Sequence, residues 1–560
     1  MCCAAFALKS GLFKIDALNG FICLGILFFA ALTIIYSLKF MAKKPLLGLR
    51  QYYTYIGLTI VASLGAALAN NLIVLLTFWG FLGLTLYLLI SLSGPEAADA
   101  AKKTFVIVGA TDCLMIFGIG IISLMSGSFQ MDKISISLSG GGALATIAYI
   151  CLALGALAKA GAIPVHSWVP DCAEKADLPV VAFLPASLDK LLGIYLLARI
   201  TLDLFVMNTA MYTMLMVIGA VTVLGGVIMA LVQHDLKRLL GFHAVSQVGY
   251  MVLGIGTGNP IGIAGGLFHM INNTIYKSCL FFAGGSVEYR KNTTDLASLG
   301  GLSKAMPITF ACALIASLAI SGVPPFNGFV SKWMVYQGLI ANIQGAGLKF
   351  RIITSLCLVA AMFGSGLTLA SFMKLMHSVF LGRGKDTSGV KEVSFLMWVP
   401  PAILAFLCIV FGIFAYQVPL KLFVVPAVGD VAFIGSWNAG LAAFLIILGM
   451  LVGLLVYFIG NAKKAVRRDE AFVGTEVFTE DERVTGVDFY NTVKDTGALG
   501  LLHKAFQKKW FDAYEQGSRL VFAINGFFRF LHNGVLPTYL VWSLIGMLVM
   551  FYVFFKYQGI

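Results

Sequence analysis

The chain has 560 residues, of which 59% are hydrophobic and only 12% charged, too few charges to cover a soluble surface of that size. Its formal charge of +13 comes from 39 basic against 26 acidic residues. The basic residues crowd the ends of apolar runs, as in "KFMAKK" and "NAKKAVRR", which reads as membrane topology with a cytoplasmic bias and not as nucleic-acid binding.

The first stretch, "MCCAAFALKSGLFKID", lacks the basic start and apolar core of a signal peptide; Cys2 and Cys3 leave open acylation or a plain N-terminus. Apolar runs of bilayer-spanning length then follow at 18–41, 53–70, 72–93, 103–126, 143–163, 179–203, 209–232, 240–258 and 261–285. They continue at 307–324, 328–343, 352–380, 397–417, 435–460 and 537–556, about fifteen spans by the ~20-residue criterion. Residues 462–500 mix both charge signs and belong in water or at the interface. Beyond them Trp510, Tyr514, Val521, Ile524, Phe528 and Leu531 fall at helical spacing, with Lys508, Lys509, Glu515 and Arg519 off the stripe. A helix lying along the membrane or along neighbouring helices fits this pattern, and so does a simple amphipathic connector. The predicted class is an all-α polytopic membrane protein: a short N-terminus (1–17), a transmembrane core (18–461), a polar segment with an amphipathic helix (462–535) and a terminal anchor (536–560). Apart from the adjacent Cys2 and Cys3 the ten Cys stand singly, mostly within spans, without the C-x-x-C pairs or Cys/His clusters that hold zinc or iron–sulfur groups.

Ionisable residues inside the spans carry the functional signal, because a charge at bilayer depth costs several kcal/mol unless it faces protein or a water-filled cavity. Lys159 lies in "LALGALAKAGAIPVHSWVPD", where Gly161 and Pro164 interrupt the helix just beyond it. Lys332 lies in "ISGVPPFNGFVSKWMVY", after a break made by Pro324, Pro325 and Gly328. Two lysines beside two helix breaks, one in each half of the chain, match the paired broken helices of transporters; lysines snorkelling from span ends are the plainer alternative. Asp189 and Lys190 are adjacent in "LPASLDKLLGIYLLAR", a cheap way to keep both charged. In "FHMINNTIYKSCLFFAGGSVEY", His269, Asn273 and Lys277 are spaced i, i+4, i+8 and form a polar stripe. "DLKRLLGFHAVSQVGYM" adds His243 and Gln247. A lone His in such a helix reads first as a packing residue. The series Lys159, Lys190, His243, His269, Lys277 and Lys332 reads as a relay of titratable groups.

Four segments, "AKAGAIPVHSWVPDCAEKADLPVVAFLPASLDK", "DLKRLLGFHAVSQVGYM", "GLFHMINNTIYKSCLFFAGGSV" and "SGVPPFNGFVSKW", resemble, in order, the signature segments of the antiporter-like subunits of respiratory complex I. The same superfamily includes Mrp-type cation antiporters and the membrane arms of energy-converting (group 4) hydrogenases. The resemblance covers about residues 12 to 460, and "WFDAYEQGSRL" with "HNGVLPTYLVWSLIG" is similar to the C-terminal extension, with its lateral helix, of the distal complex I subunit and its hydrogenase relatives. It implies two inverted five-helix repeats, each with a broken helix, plus flanking helices. It implies Lys159 as the central proton site, Lys190 as a connecting group, His269 and Lys277 as the next links and Lys332 as the exit-side group. It also implies no cofactor in this chain, with iron–sulfur clusters and a NiFe or other redox centre in partner subunits, and a place in the inner cell membrane.

Three departures qualify the resemblance. Most members carry a glutamate where "LLTFWGFLGLTLYLL" has Gly80, which removes a group that would favour the charged form of Lys159; Asp112, in "VGATDCLMIFG", and Asp189 are the candidate substitutes. Asn273 stands where many members have a second His, and the usual two helices ahead of "FKIDALNG" are missing. Three readings follow: a proton- or sodium-translocating subunit of a complex I-like or hydrogenase-type redox complex; a non-pumping scaffold of the same complex; and a redox-independent cation antiporter or inorganic-carbon uptake subunit. In none of them does this chain itself perform redox catalysis.

Overall fold

The computed structural model describes residues 11–344, 347–382, 389–429, 431–433, 439–460, 486–490 and 497–557. Cys2, Cys3 and most of the polar segment 462–500 lie outside them. Helices stand at every apolar run identified above, and ten of those described are long and apolar enough to cross a bilayer. The chain is an all-α, multi-pass membrane protein; β structure among the described residues is one parallel pairing of Ile136–Ser137 with Phe205–Val206 and a few isolated bridges.

Two compact units divide the chain, Met1–His503 and Lys504–Ile560. In the larger unit, helix ends gather at two faces. At one face the Lys44–Asp177 pair joins the loop before Leu46–Leu68 to the start of the Leu178–Phe183 helix. There too Lys103 reaches Asp171 at 2.7 Å, Arg238 pairs with Glu174, and Lys237 reaches Glu288 at 3.1 Å. Partial burial by itself would raise the Glu174 carboxyl, but Arg238 and Lys175 hold it below its ordinary range. At the opposite face Arg199 pairs with Asp16 and with Asp203 at 2.8 Å, around a polar cavity of about 370 Å³ that Lys14, Asn70 and Asp132 also line.

The Pro260–Lys291 helix occupies the centre: every residue from Ile261 to Val287 is buried. The spans Leu178–Leu204 and Leu236–Gly256 are likewise enclosed. A helix buried all round escapes the requirement to present an apolar face to lipid, so polar groups can stand on any side of it. Close packing is achieved with glycine. A Cβ on Gly249 would sit 2.5 Å from Val223 N, and one on Gly219 would sit 2.6 Å from Leu253 N, so the Thr209–Leu231 and Leu236–Gly256 backbones touch where no side chain intervenes. Around them, Leu348–Met376 and Phe395–Ile413 expose Leu356, Val359, Phe363 and Phe406 outward, as lipid-facing surfaces do.

In the smaller unit, Asp512 caps the Ala513–Leu531 helix by accepting Tyr514 N–H at 3.1 Å. Trp510 precedes this helix in a turn, so the apolar stripe begins at Tyr514 and not, as the spacing suggested, at Trp510. Val521, Ile524 and Phe528 are exposed along it. The Leu536–Tyr557 helix follows.

Two expectations follow. Gly249→Ala forces backbone displacement where the Thr209–Leu231 and Leu236–Gly256 helices touch and should cost about 1–3 kcal/mol, read as a lower unfolding temperature in detergent. Lys43, Lys44, Lys102, Lys103, Lys237, Arg238, Arg290 and Lys291 stand at one face, against Lys14, Lys133, Lys349 and Arg351 at the other. The basic face is therefore expected in the cytoplasm. Cysteine placed at Lys102 should react with an impermeant thiol reagent only in inside-out vesicles; reaction in right-side-out vesicles would reverse the orientation.

Candidate charge path

The site is built on two interrupted helices. Gly142–Ala160 ends at Gly161, whose φ of +81° is in the left-handed region and whose N–H donates to Leu157 O at 2.8 Å. The chain resumes as the short Trp168–Lys175 helix. Pro307–Ser321 ends in the same way at Gly322, φ +82°, and resumes at Asn327–Ile343. Carbonyls at such ends lack intrahelical partners and carry partial negative charge. Side chains supply the partners: Trp168 Nε1 donates to Ala158 O at 2.9 Å, Lys190 Nζ donates to Ala160 O, and Lys332 Nζ donates to Ile320 O at 2.8 Å. A Cβ on Gly161 would approach Lys190 Nζ to 3.0 Å, and one on Gly322 would approach Lys332 Cδ to 3.1 Å. The geometric counterpart of Lys332 is thus Lys190, which seals the first break, whereas Lys159 sits on the helix before it.

Lys159 is fully buried and its Nζ has no hydrogen-bond partner among the described residues. The ammonium lies 5.3 Å from the centre of the Trp79 ring. Asp112 and Asp189 both lie within electrostatic range of it. Asp112 Oδ1 and Asp189 Oδ2 are buried without partners. Gly80 faces outward, with nothing within 4 Å of a Cβ built there. Trp79, and not position 80, is the residue of that helix that reaches Lys159.

From Lys159 the charged groups follow one another through the core. Asp189 lies in electrostatic range of Lys159 and of the adjacent Lys190. Lys190 lies in electrostatic range of Lys277. Lys277 Nζ donates to Leu240 O at 2.7 Å, with the Phe281 and Phe372 rings each 5.8 Å away. Both Lys277 and Lys332 lie in range of His243, and Lys332 in range of His269. The polar stripe of the sequence is real, but its order in space differs. Lys277, and not His269, follows Lys190, while His269 stands beside Lys332 at the far end.

Around that far end the polar contacts are dense. His269 meets Ser331 Oγ at 2.9 Å through Nδ1, and Gln247 Oε1 and Tyr276 OH at 3.2 Å each through Nε2. A neutral ring donating from Nε2 and accepting at Nδ1 satisfies the Gln247 and Ser331 contacts. Lys332 stands 4.6 Å from the Tyr250 ring centre. Asn272 and Asn327 bond reciprocally, Nδ2 to O and Oδ1 to Nδ2, at 3.0 Å each. Asn273 retains both amide atoms without partners, as does Gln247 its Nε2.

The sequence reading passed over Ser331, Tyr250, Ser371 and Lys374. The last two stand three residues apart in "TLASFMKLMHSVFLG", a spacing that places them on one helix face and that could have flagged them. Among the described residues, no three His, Cys, Asp or Glu side chains are grouped to hold a metal ion. Buried polar atoms without partners among the described residues thus stand between six buried basic residues.

The chain is 30% identical to hydrogenase-4 component B of Escherichia coli over 346 residues, 59% of this chain and 51% of that protein. It is 32% identical to Na(+)/H(+) antiporter subunit A1 of Staphylococcus epidermidis over 404 residues, 69% of this chain and 50% of that protein. The matches thus span about half the length of these relatives. In fold it is similar to a chain of the membrane-bound sulfane sulfur reductase, an archaeal respiratory membrane complex, with a TM-score of 0.76 at 22% identity over 96% of this chain and 89% of that one. Residues 69–359, just over half of the sequence, match the family described as NADH:quinone oxidoreductase/Mrp antiporter, TM, and the chain belongs to that family.

Proposed function

We propose that this chain is an ion-translocating, antiporter-like membrane subunit of a complex I-like or hydrogenase-type redox complex in the inner cell membrane, moving protons or sodium ions while partner subunits carry the electrons. One observation carries the reading: six buried basic residues, Lys159, Lys190, Lys277, His243, Lys332 and His269, form a continuous electrostatic series from one helix break to the other. A scaffold has no use for so costly a series. The partners this reading requires are further membrane subunits and peripheral iron–sulfur subunits holding a NiFe or other redox centre. In this reading Asp112 and Asp189 take the place of the carboxylate missing at Gly80, because both lie in electrostatic range of Lys159.

The similarity to the Na(+)/H(+) antiporter subunit A1 favours a second reading, a cation antiporter driven without redox chemistry. Co-purification separates the two: iron–sulfur subunits in the isolated complex support the first, and a complex free of them supports the second.

The central test is ion uptake into liposomes holding the purified complex. Lys159→Ala and Lys332→Ala should each leave assembly intact and lower coupled uptake at least tenfold; wild-type uptake in both would remove the relay. Asp189→Asn and Asp112→Asn, assayed singly and together, should each slow coupled uptake, with the double variant the slowest. Unchanged uptake in the double variant would show that Lys159 operates without an acidic partner.

A further inference from the structure

The Leu348–Met376 helix carries a polar stripe that the main series does not use. His243 Nε2 meets Ser371 Oγ at 2.7 Å. Lys374 follows three residues later and Ser378 four beyond that, so the three side chains occupy an arc of about 60° on the helix and its continuation. All three are buried. Lys374 Nζ donates to Leu231 O and Gln233 O, both at 2.8 Å, where the Thr209–Leu231 helix emerges at the basic face. Gln233 there is half-buried and His234 exposed. The stripe thus starts at the His243 junction, in electrostatic range of both Lys277 and Lys332, and ends at the basic face.

Its outer end is covered. Tyr490 OH donates to Ala370 O at 3.1 Å, the Phe489 ring lies 5.1 Å from His377, and Val487 is buried. A Cβ on Gly486 would lie 2.7 Å from Ser378 Oγ, so the backbone of Gly486–Tyr490 rests directly on the end of the stripe. These five residues come from the stretch between the last core span and the C-terminal helices, whose composition otherwise assigns it to water.

We infer that Ser371, Lys374 and Ser378 form a water-accessible branch connecting His243 to the basic face, covered by Gly486–Tyr490. The apolar helix gains no packing from hydroxyls and an ammonium lined up in this way. A lysine serving only to close the Thr209–Leu231 helix end would not require Ser371 to bond the central histidine. The branch deepens the proposed ion-conducting reading, since it supplies a side opening at the middle of the series in addition to its two ends.

The test is thiol accessibility in the intact complex in sealed vesicles of both orientations. Ser371→Cys and Ser378→Cys are each compared with the unsubstituted chain, using methanethiosulfonate ethylammonium as the probe. Both should react from the basic face only, at least tenfold faster than the background of native cysteines, and Phe489→Ala should accelerate Ser371→Cys further. Failure of both cysteines to react, or equal reaction from the opposite face, would overturn the branch. Labelling does not depend on transport. Absent labelling together with loss of uptake in Lys159→Ala therefore overturns the branch and leaves the main series standing. Labelling in a complex that moves no ions supports the branch as a hydrated crevice and overturns conduction.

Discussion

The expense of holding an ammonium group in a low-dielectric core governs this structure. Lysine at bilayer depth persists only beside dipoles, carboxylates or water, and the chain provides the dipoles by breaking two of its helices. A broken helix end leaves carbonyls with partial negative charge and no partner; Lys190 and Lys332 each donate to such a carbonyl. The need is mutual, since the break would be costly without the lysine and the lysine without the break. Glycine at 161 and 322 allows both the left-handed turn and the close approach of the lysine.

Everything else in the core protects that arrangement from lipid. Pro260–Lys291, Leu178–Leu204 and Leu236–Gly256 lie inside a ring of helices with apolar outer surfaces, and the outer helices that carry Lys159 and Lys374 turn those side chains inward. Enclosure at this density calls for backbone contact, which Gly219 and Gly249 permit. Lys159 differs from the other lysines. Its Nζ bonds no carbonyl among the described residues and stands over the face of Trp79, with Asp112 and Asp189 in electrostatic range.

Family membership describes the scaffold, and the site determines what the scaffold does. Hydrogenase, antiporter and sulfane sulfur reductase relatives share this framework while differing in what their names say they act on. In this chain the acids in electrostatic range of Lys159 are Asp112 and Asp189, on two other helices, while Gly80 faces outward. Coulomb interaction depends on distance and dielectric and not on which segment carries the charge.

Much of this was determined by local sequence. Span lengths follow from hydropathy, and the breaks follow from Gly161, Pro164, Pro324 and Pro325 because these residues act within a few positions of themselves. The buried lysines stand out because their cost in a bilayer is a property of the residue and its depth. Tertiary structure alone decided which charges are neighbours. Helical spacing placed His269, Asn273 and Lys277 on one stripe, but only the packing of the Leu178–Leu204 and Asn327–Ile343 helices against it brought Lys277 into electrostatic range of Lys190 and His269 into range of Lys332. Ser371 and Lys374 gained meaning in the same way, through contact with His243 and with the Thr209–Leu231 helix end. Periodicity reports the face a side chain occupies on its own helix; the partner it meets there is fixed by residues distant in sequence.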